Sequence, residues 1–334
     1  MSKKISQYKT VWIDLTDFLD WKGHFTGIQR VEFELASRFS KRENVKFFYF
    51  HAIKNSFVEI GFESIEQKAK IASGEVKLSN KELERQIRLS RRISTRVKEA
   101  IPHNTRMKLV KIKGQIKKVN ESNPFDPTHP FTAEDLVMVL GGNWAFSTFM
   151  PSLKRVKESV PGLKSVHVLY DFIPVMQPGY FPDAMNESYE EYIQEVLRVS
   201  DLSLSISENT KKDALTYAQS IDVTPGHIEP FRLGDDFSKI TSKRPTDKKA
   251  KAVEAGNYIF CVGTIEIRKN HQLLDNVYKL ALQKGVSLPK LVIVGKSGWL
   301  ADATVHLFKK DPDMKDQVVM LNNCSDKEMA WLFE

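Results

Sequence analysis

Cysteine is scarce: the 334-residue chain has two, Cys261 and Cys324. Two cannot build a disulfide framework. Each lies in an apolar, strand-like setting, so both read as reduced core or near-core residues of a cytosolic protein. Long apolar runs are absent as well. No window approaches the roughly 20 apolar residues of a membrane-spanning helix, and the charged first residues lead into no apolar core of signal-peptide length. The chain is therefore expected to be cytoplasmic, and at most peripheral at a membrane. Disorder is excluded, because 41% apolar and 28% charged residues are globular proportions. The length suffices for two domains of ordinary size.

Basic character is lacking over most of the chain, although the formal net charge is +8. Between Lys77 and Lys118 stand 14 Lys/Arg against 3 Glu, a local +11, so the remainder sums to −3. Inside that stretch, apolar residues recur at helical spacing among the cations. One run is Leu83, Ile87, Ile93, Val97 and Ile101; the next, after Pro102, is Leu109, Ile112, Ile116 and Val119. They read as two basic amphipathic helices, an insertion at about 64–123 in an otherwise regular α/β domain. The proline-rich stretch 123–130 closes it. Two uses stand level: binding an anionic membrane surface, at the inner face of the cytoplasmic membrane, or packing as a solvated basic face on its own domain. Nucleic acid is not expected, since no aromatic residues interleave with the charges.

Elsewhere strands and helices alternate. Strands are expected at 10–15, 45–51, 135–140, 164–170, 202–206, 228–233, 258–262, 290–294 and 317–321, from short β-branched and aromatic runs. A helix opens at Gly27 with Ile28, Val31, Leu35 and Phe39 on its apolar face, and Gln29, Arg30, Glu32 and Glu34 mostly elsewhere. The preceding residues 16–26, with Gly23 and His24, read as a polar loop. Further helices are expected up to Val160, over 183–199, over 207–219 with Ser207 at its polar start, up to Lys310, and from Ser325. Residues 238–256 are lysine-rich, polar and aperiodic, and read as the linker between domains at 1–237 and 257–334. The second domain then holds about three βα units, fewer than a doubly wound half usually has, which reads as a truncated chain.

Such α/β sheets bind ligands at the C-terminal ends of their strands. The most informative strand end is in residues 258–278. An apolar run from Tyr258 to Val262, read as buried, meets a turn at Gly263. A helix follows whose apolar spacing is Leu273, Leu274, Val277, Leu280 and Ala281. Arg268 and Lys269 fall just ahead of that helix, with Asn270 as its expected N-cap. A helix N-terminus beside two cations suits a phosphate, through unpaired N–H groups and the dipole. An arbitrary basic pair is more often solvated; the other strand ends single this one out.

Those strand ends carry an ordered series of motifs: residues 26–31 (TGIQRV), 170–174 (YDFIP) with Pro178 and Phe181 after it, 202–213 (LSLSISENTKKD), 233–236 (LGDD), 262–271 (VGTIEIRKNH) and 291–299 (LVIVGKSGW). In this order they resemble the family 4 retaining glycosyltransferases of the GT-B fold, in particular polysaccharide mannosyltransferases, over nearly the whole chain outside the basic insertion. The resemblance implies an α/β chain of two Rossmann-like domains facing a cleft. The first would be the acceptor side, with the basic insertion, and the second an incomplete nucleotide-sugar-binding domain.

The resemblance further implies a retaining transfer of a hexose, mannose from GDP-mannose first, from a nucleotide diphosphate sugar to a surface polysaccharide or lipid-linked glycan. Arg268 and Lys269, with the glycine of the helix start at Gly27, would hold the donor diphosphate as it gains charge in leaving. Gly263, Thr264, Gly295, Lys296 and Asn323 would serve the nucleotide. Gly142 and Asn143 would face the acceptor. Asp171 is read either as the catalytic-centre carboxylate at the sugar or as a cap of the next segment. The family often has His before that Asp; Tyr170 stands here, so no His role carries over. His24 and His271 read as polar loop or helix-start residues, and Trp144 and Trp299 as core anchors. No cofactor and no catalytic metal are expected. Two glutamates that hold sugar and ribose in the family would fall beyond Glu334, so the alternative is a truncated, non-catalytic protein that binds a glycan or a partner.

Overall fold

The computed structural model describes residues 5–21, 27–72, 126–234, 241–245, 253, 257–322 and 324–334. The two expected basic helices, most of the linker, Gly23, His24 and Asn323 lie outside them. The chain divides into two compact units, one of residues 1–171 and 191–231, the other of 172–190 and 232–334.

The first unit is built on a seven-stranded sheet. Its strands are β1 (Val11–Asp14), β2 (Val45–His51), β3 (Ser56–Ile60), β4 (Leu136–Val139), β5 (Lys164–Leu169), β6 (Leu202–Ser205) and β7 (His227–Pro230), ordered 3-2-1-4-5-6-7. All neighbours pair in parallel except β2 and β3. The central strands β1 and β4 are buried throughout, as expected of a parallel sheet covered on both faces, and this explains their apolar sequences, broken only by Asp14 at the end of β1. Val11, Ile13, Leu136, Met138 and Val168 pack with Phe18 in one core cluster. The antiparallel β3 was not anticipated. Its SFVEI sequence follows a four-residue turn through Asn55, at φ 50°, and it was hidden by the short spacing from β2.

The helices are α1 (Thr16–Asp20), α2 (Gly27–Phe39), α3 (Phe62–Ala72), α4 (Phe149–Ser159), α5 (Ile173–Met176), α6 (Asp183–Val199), α7 (Glu208–Ser220), α8 (His271–Gln283), α9 (Asp302–Lys310) and α10 (Asp326–Phe333). None of the described helices is long and apolar enough to cross a membrane. Several expectations need correction. Residues 16–20, read as loop, are helical, because the Asp14 carboxylate accepts from both the amide (3.2 Å) and the hydroxyl (2.5 Å) of Thr16 and fixes the chain at the start of α1. Helix α2 begins at Gly27 as expected, at φ 45°, but it buries Gln29, Glu32 and Ala36, while Ile28, Val31, Leu35 and Phe39 are half-buried. Ser207 caps α7 as expected, accepting from the Thr210 amide at 3.1 Å.

The second unit has a three-stranded parallel sheet of β8 (Tyr258–Val262), β9 (Lys290–Val294) and β10 (Val318–Leu321), ordered 10-9-8. On one face Leu291 and Ile293 pack with Tyr278 of α8 and Phe308 of α9; on the other Val292 and Val294 pack with Leu332 of α10. The run Tyr258–Val262, read as buried, is largely accessible, since β8 is the edge of this sheet among the described residues. The expected face of α8 is corrected too. Leu273, Val277 and Leu280 are 55%, 45% and 50% exposed, and the buried residues are His271, Asp275 and Tyr278. Cys261 and Cys324 are half-buried and unpaired with each other.

Candidate functional site

In the second unit two strand-end loops are sewn together by the backbone. The Gly263 amide donates to the Val294 carbonyl (2.9 Å), Ile265 to Lys296 (2.9 Å), and the Gly298 amide to Ile265 (2.8 Å). The expected nucleotide residues Gly263, Thr264, Gly295 and Lys296 are thereby brought together. Glycine is required here: Gly263 has φ 145°, and a Cβ at Gly295 would run into the Gly263 carbonyl. At Gly298 a Cβ would come within 2.6 Å of Thr264 Cγ2 and 2.9 Å of Glu266 Cγ.

Arg268 and Lys269 lie in a short 3-10 turn, Ile267–Lys269, that leads into α8. Arg268 donates from Nε to Glu266 Oε2 at 2.8 Å and from Nη2 to Oε1 at 3.4 Å. Its guanidinium carbon is 6.0 Å from the centre of the Phe181 ring, and that ring meets Trp299 edge-on at 5.5 Å. Through Phe181, residues 172–190 join this unit. Trp299, expected as a core anchor, is 41% exposed. Lys269 is exposed. Asn270 stands at the N-cap position, as expected, but without a side-chain cap bond; its φ of 51° turns the chain, and its carbonyl accepts from Leu273 at 3.0 Å. His271 is buried, and burial holds its pKa below the usual value, with Lys269 adding to the effect and the backbone of Glu266 partly opposing it.

In the first unit the expected acceptor-side residues Gly142 and Asn143 follow β4 and are buried. Asn143 donates to Asp14 Oδ2 at 2.5 Å. A Cβ on Gly142 would collide with the ring of Trp144, which itself lies edge-on to Tyr192 at 6.3 Å. Tyr170 hydrogen-bonds through its hydroxyl to the Leu140 carbonyl (2.7 Å), and its own carbonyl accepts from Thr210 (3.2 Å). It ties the ends of β4 and β5 to the first turn of α7 and leaves Asp171, half-buried, at the end of β5. Gly27, the expected first-unit contributor to the diphosphate, is exposed, and a Cβ there would meet nothing within 4 Å. The residues on either side of it belong to opposite cases: Thr26 lies outside the described residues, and Gln29 bonds to Asp17 Oδ2 at 2.8 Å.

Sequence reasoning missed a cluster of carboxyls beneath this loop: Asp14 on β1, Asp17 on α1 and Glu32 on α2. Burial raises the pKa of Asp14 to about 7, against the lowering effect of hydrogen bonds from Thr16 and Asn143. Burial likewise raises Asp17, and with the charges of Asp17 and Asp14 it pushes Glu32 well above the carboxylate range. Burial also raises the pKa values of Tyr170 and Tyr192, so both phenols stay protonated. The signal was present in the α2 sequence, where Gln29, Glu32 and Ala36 form a stripe three and four residues apart; apolar counting passed over it because two of the three are polar.

No protein-family model matches the chain. Among curated proteins it is similar to the serotype-specific mannosyltransferase WbdA of Escherichia coli, 23% identical over 181 residues, which are 52% of this chain and 22% of WbdA. Another WbdA sequence from the same organism is 22% identical over 181 residues and is likewise matched over 22% of its length. The chain thus spans under a quarter of the relatives it matches. Among solved structures, HepE of Anabaena in complex with UDP-glucose has a TM-score of 0.50 at 12% identity, covering 95% of this chain and 70% of HepE. Sucrose-phosphate synthase from Thermosynechococcus elongatus has a TM-score of 0.50 at 11% identity, covering 97% and 73%. These likenesses establish the α/β, GT-B-like fold with its Rossmann-like sheets.

Proposed function

We propose that the chain is a retaining, family 4-like glycosyltransferase that moves a hexose from a nucleotide diphosphate sugar to a surface polysaccharide or lipid-linked glycan. Mannose from GDP-mannose is the first candidate, supported by the likeness to the mannosyltransferase WbdA. The observation that carries the reading is the pair of glycine loops sewn together at 263–265 and 295–298, with two cations immediately after them. In such a transfer the leaving nucleoside diphosphate gains negative charge, and preorganised cations at that point lower the barrier. Glu266 fixes the Arg268 guanidinium by its Nε and one Nη, and the Phe181 ring lies against it, so Arg268 is oriented before any donor arrives. Lys269, exposed beside it, supplies the second charge. Gly263, Thr264, Gly295, Lys296 and Asn323 then serve the nucleotide, and Gly27 the diphosphate. Gly142, Asn143 and Asp171 serve the acceptor and sugar side. The basic stretch 77–118 is proposed as the attachment to an anionic membrane surface.

The test is a panel of nucleotide sugars given to the purified chain, with donor hydrolysis or transfer as readout. Turnover is expected with at least one donor and unchanged by EDTA, since side-chain cations supply the charge here. Arg268→Ala and Lys269→Ala should each lower turnover by about 10²–10³-fold, the usual loss for one donor to a developing charge. Wild-type rates in both variants would refute the assignment of the diphosphate, and no turnover with any donor would refute the activity.

A further inference from the structure

Glu32 is fully buried, and neither carboxyl oxygen makes a hydrogen bond of ordinary geometry; the backbone amide of Phe18 acts on the carboxyl and only partly offsets the effect of burial. The backbone of the Gly141 turn lies directly on it: a Cβ at Gly141 would collide with Glu32 Oε1 and come within 3.0 Å of Asp17 Cβ. Two more buried oxygens in the same cluster, Asn143 Oδ1 and the Tyr192 hydroxyl, also lack a hydrogen bond of ordinary geometry, although the Asn143 amide acts on the phenol. An ionised carboxylate buried without a partner is disfavoured by several kcal/mol, and such groups take up a proton instead. A metal ion does not offer an alternative, for no group of three acidic, histidine or cysteine side chains among the described residues is arranged to hold one.

The groups facing the cluster are known from each element. Asp14 comes from β1, Asp17 and Asp20 from α1, Gln29 from the first turn of α2, Tyr170 from the end of β5 and Tyr192 from α6. Lys68 of α3 acts on Asp17, and its ammonium donates to the carbonyls of Leu19 and Trp21.

We infer that Glu32 is a positioning residue, held as a neutral carboxylic acid under the Gly141–Gly142–Asn143 turn, and that ionising it unseats that turn. A neutral acid has both a donor and an acceptor for the unpartnered oxygens around it, whereas the anion has none to give. The use of the turn in acceptor binding rests on the glycosyltransferase reading; the seating of the turn does not.

The sign follows from linkage. A carboxyl whose folded-state pKa is raised stabilises the folded state most below its unfolded pKa of about 4.5, and that stabilisation is lost as pH rises toward the folded value. Each proton retained on folding makes the opening constant rise by up to about tenfold per pH unit in that window.

The experiment compares wild type, Glu32→Gln and Glu32→Ala by hydrogen exchange over β1, β4 and the following turn, from pH 5 to 9 and corrected for intrinsic rates. Glutamine mimics the neutral acid in shape. Opening should steepen with pH in wild type, by one proton less in Glu32→Gln, and be fast at every pH in Glu32→Ala. Infrared spectra should show the carbonyl stretch of a protonated carboxyl in wild type at pH 7, reduced in Glu32→Gln. An identical pH slope in wild type and Glu32→Gln, or an unchanged protonated-carboxyl band, would overturn the inference. Both readouts work without turnover, so failure here is distinguishable from failure of the proposed activity.

Discussion

Glu266 and Arg268 show what a single pair does at a strand end. The carboxylate is almost wholly buried and accepts from both Nε and Nη2 of Arg268. Removing it strands a cation against the Phe181 ring and leaves the packing around Gly298 unfilled. Glu266→Ala should lower the unfolding free energy of the second unit by about 1–3 kcal/mol, the range for losing hydrogen bonds to a charged group. Chemical denaturation followed by Trp299 fluorescence measures it; a change under the error of the method would mean that the pair contributes little. At this scale the sequence made Arg268 and Lys269 legible, because two cations beside a helix start have an evident use. It left Glu32 illegible. A glutamate at an inward position of α2 is read as surface unless its neighbours in space are known, and those neighbours, Asp14, Asp17 and Tyr192, come from three other elements.

Elements were legible where local chemistry sets their ends. Residues 325–328 carry a reciprocal capping box: the Ser325 hydroxyl accepts from the Glu328 amide at 3.3 Å, and the Ser325 amide donates to Glu328 Oε2 at 2.8 Å. Ser325→Ala should therefore cost about 0.5–2 kcal/mol, read as a lower denaturation midpoint of the second unit; an unchanged midpoint would show that packing of Met329, Trp331 and Leu332 holds α10 without the cap. Helix α8 was placed by its periodicity and faced the wrong way by the same periodicity. Its Leu273, Val277 and Leu280 form a regular stripe, yet Tyr278, whose hydroxyl donates to the Pro289 carbonyl at 2.6 Å, is the residue packed on the sheet. Periodicity reports a stripe; which stripe is buried depends on the partner.

The alternation of strands and helices carried the fold of the whole molecule, because buried parallel strands have unbroken apolar sequences and their crossovers are helices. What it could not carry was β3, antiparallel at one end of the larger sheet, and the membership of residues 172–190 in the second unit. Sheet edges have a physical consequence. Strand β8 has no partner on one side among the described residues, and Ile259 and Val262 on it are exposed, as are Leu273, Leu280 and Leu282 of α8. An uncharged, apolar edge strand is a template for pairing with another chain. This chain should self-associate at high concentration, and the double variant Ile259→Lys, Val262→Lys should do so less. Sedimentation velocity over a concentration series decides; equal behaviour of the two would remove the edge as the cause.

The carboxyls beneath the Gly141 turn also change how the molecule exchanges protons with its solvent. The formal charge of +8 counts every carboxyl as ionised. With Asp14 titrating near 7 and Glu32 well above the carboxylate range, the folded chain at neutral pH binds more protons there than the unfolded chain does. Its net charge when folded therefore exceeds the count made from the sequence, and unfolding at neutral pH acidifies the buffer as those protons leave.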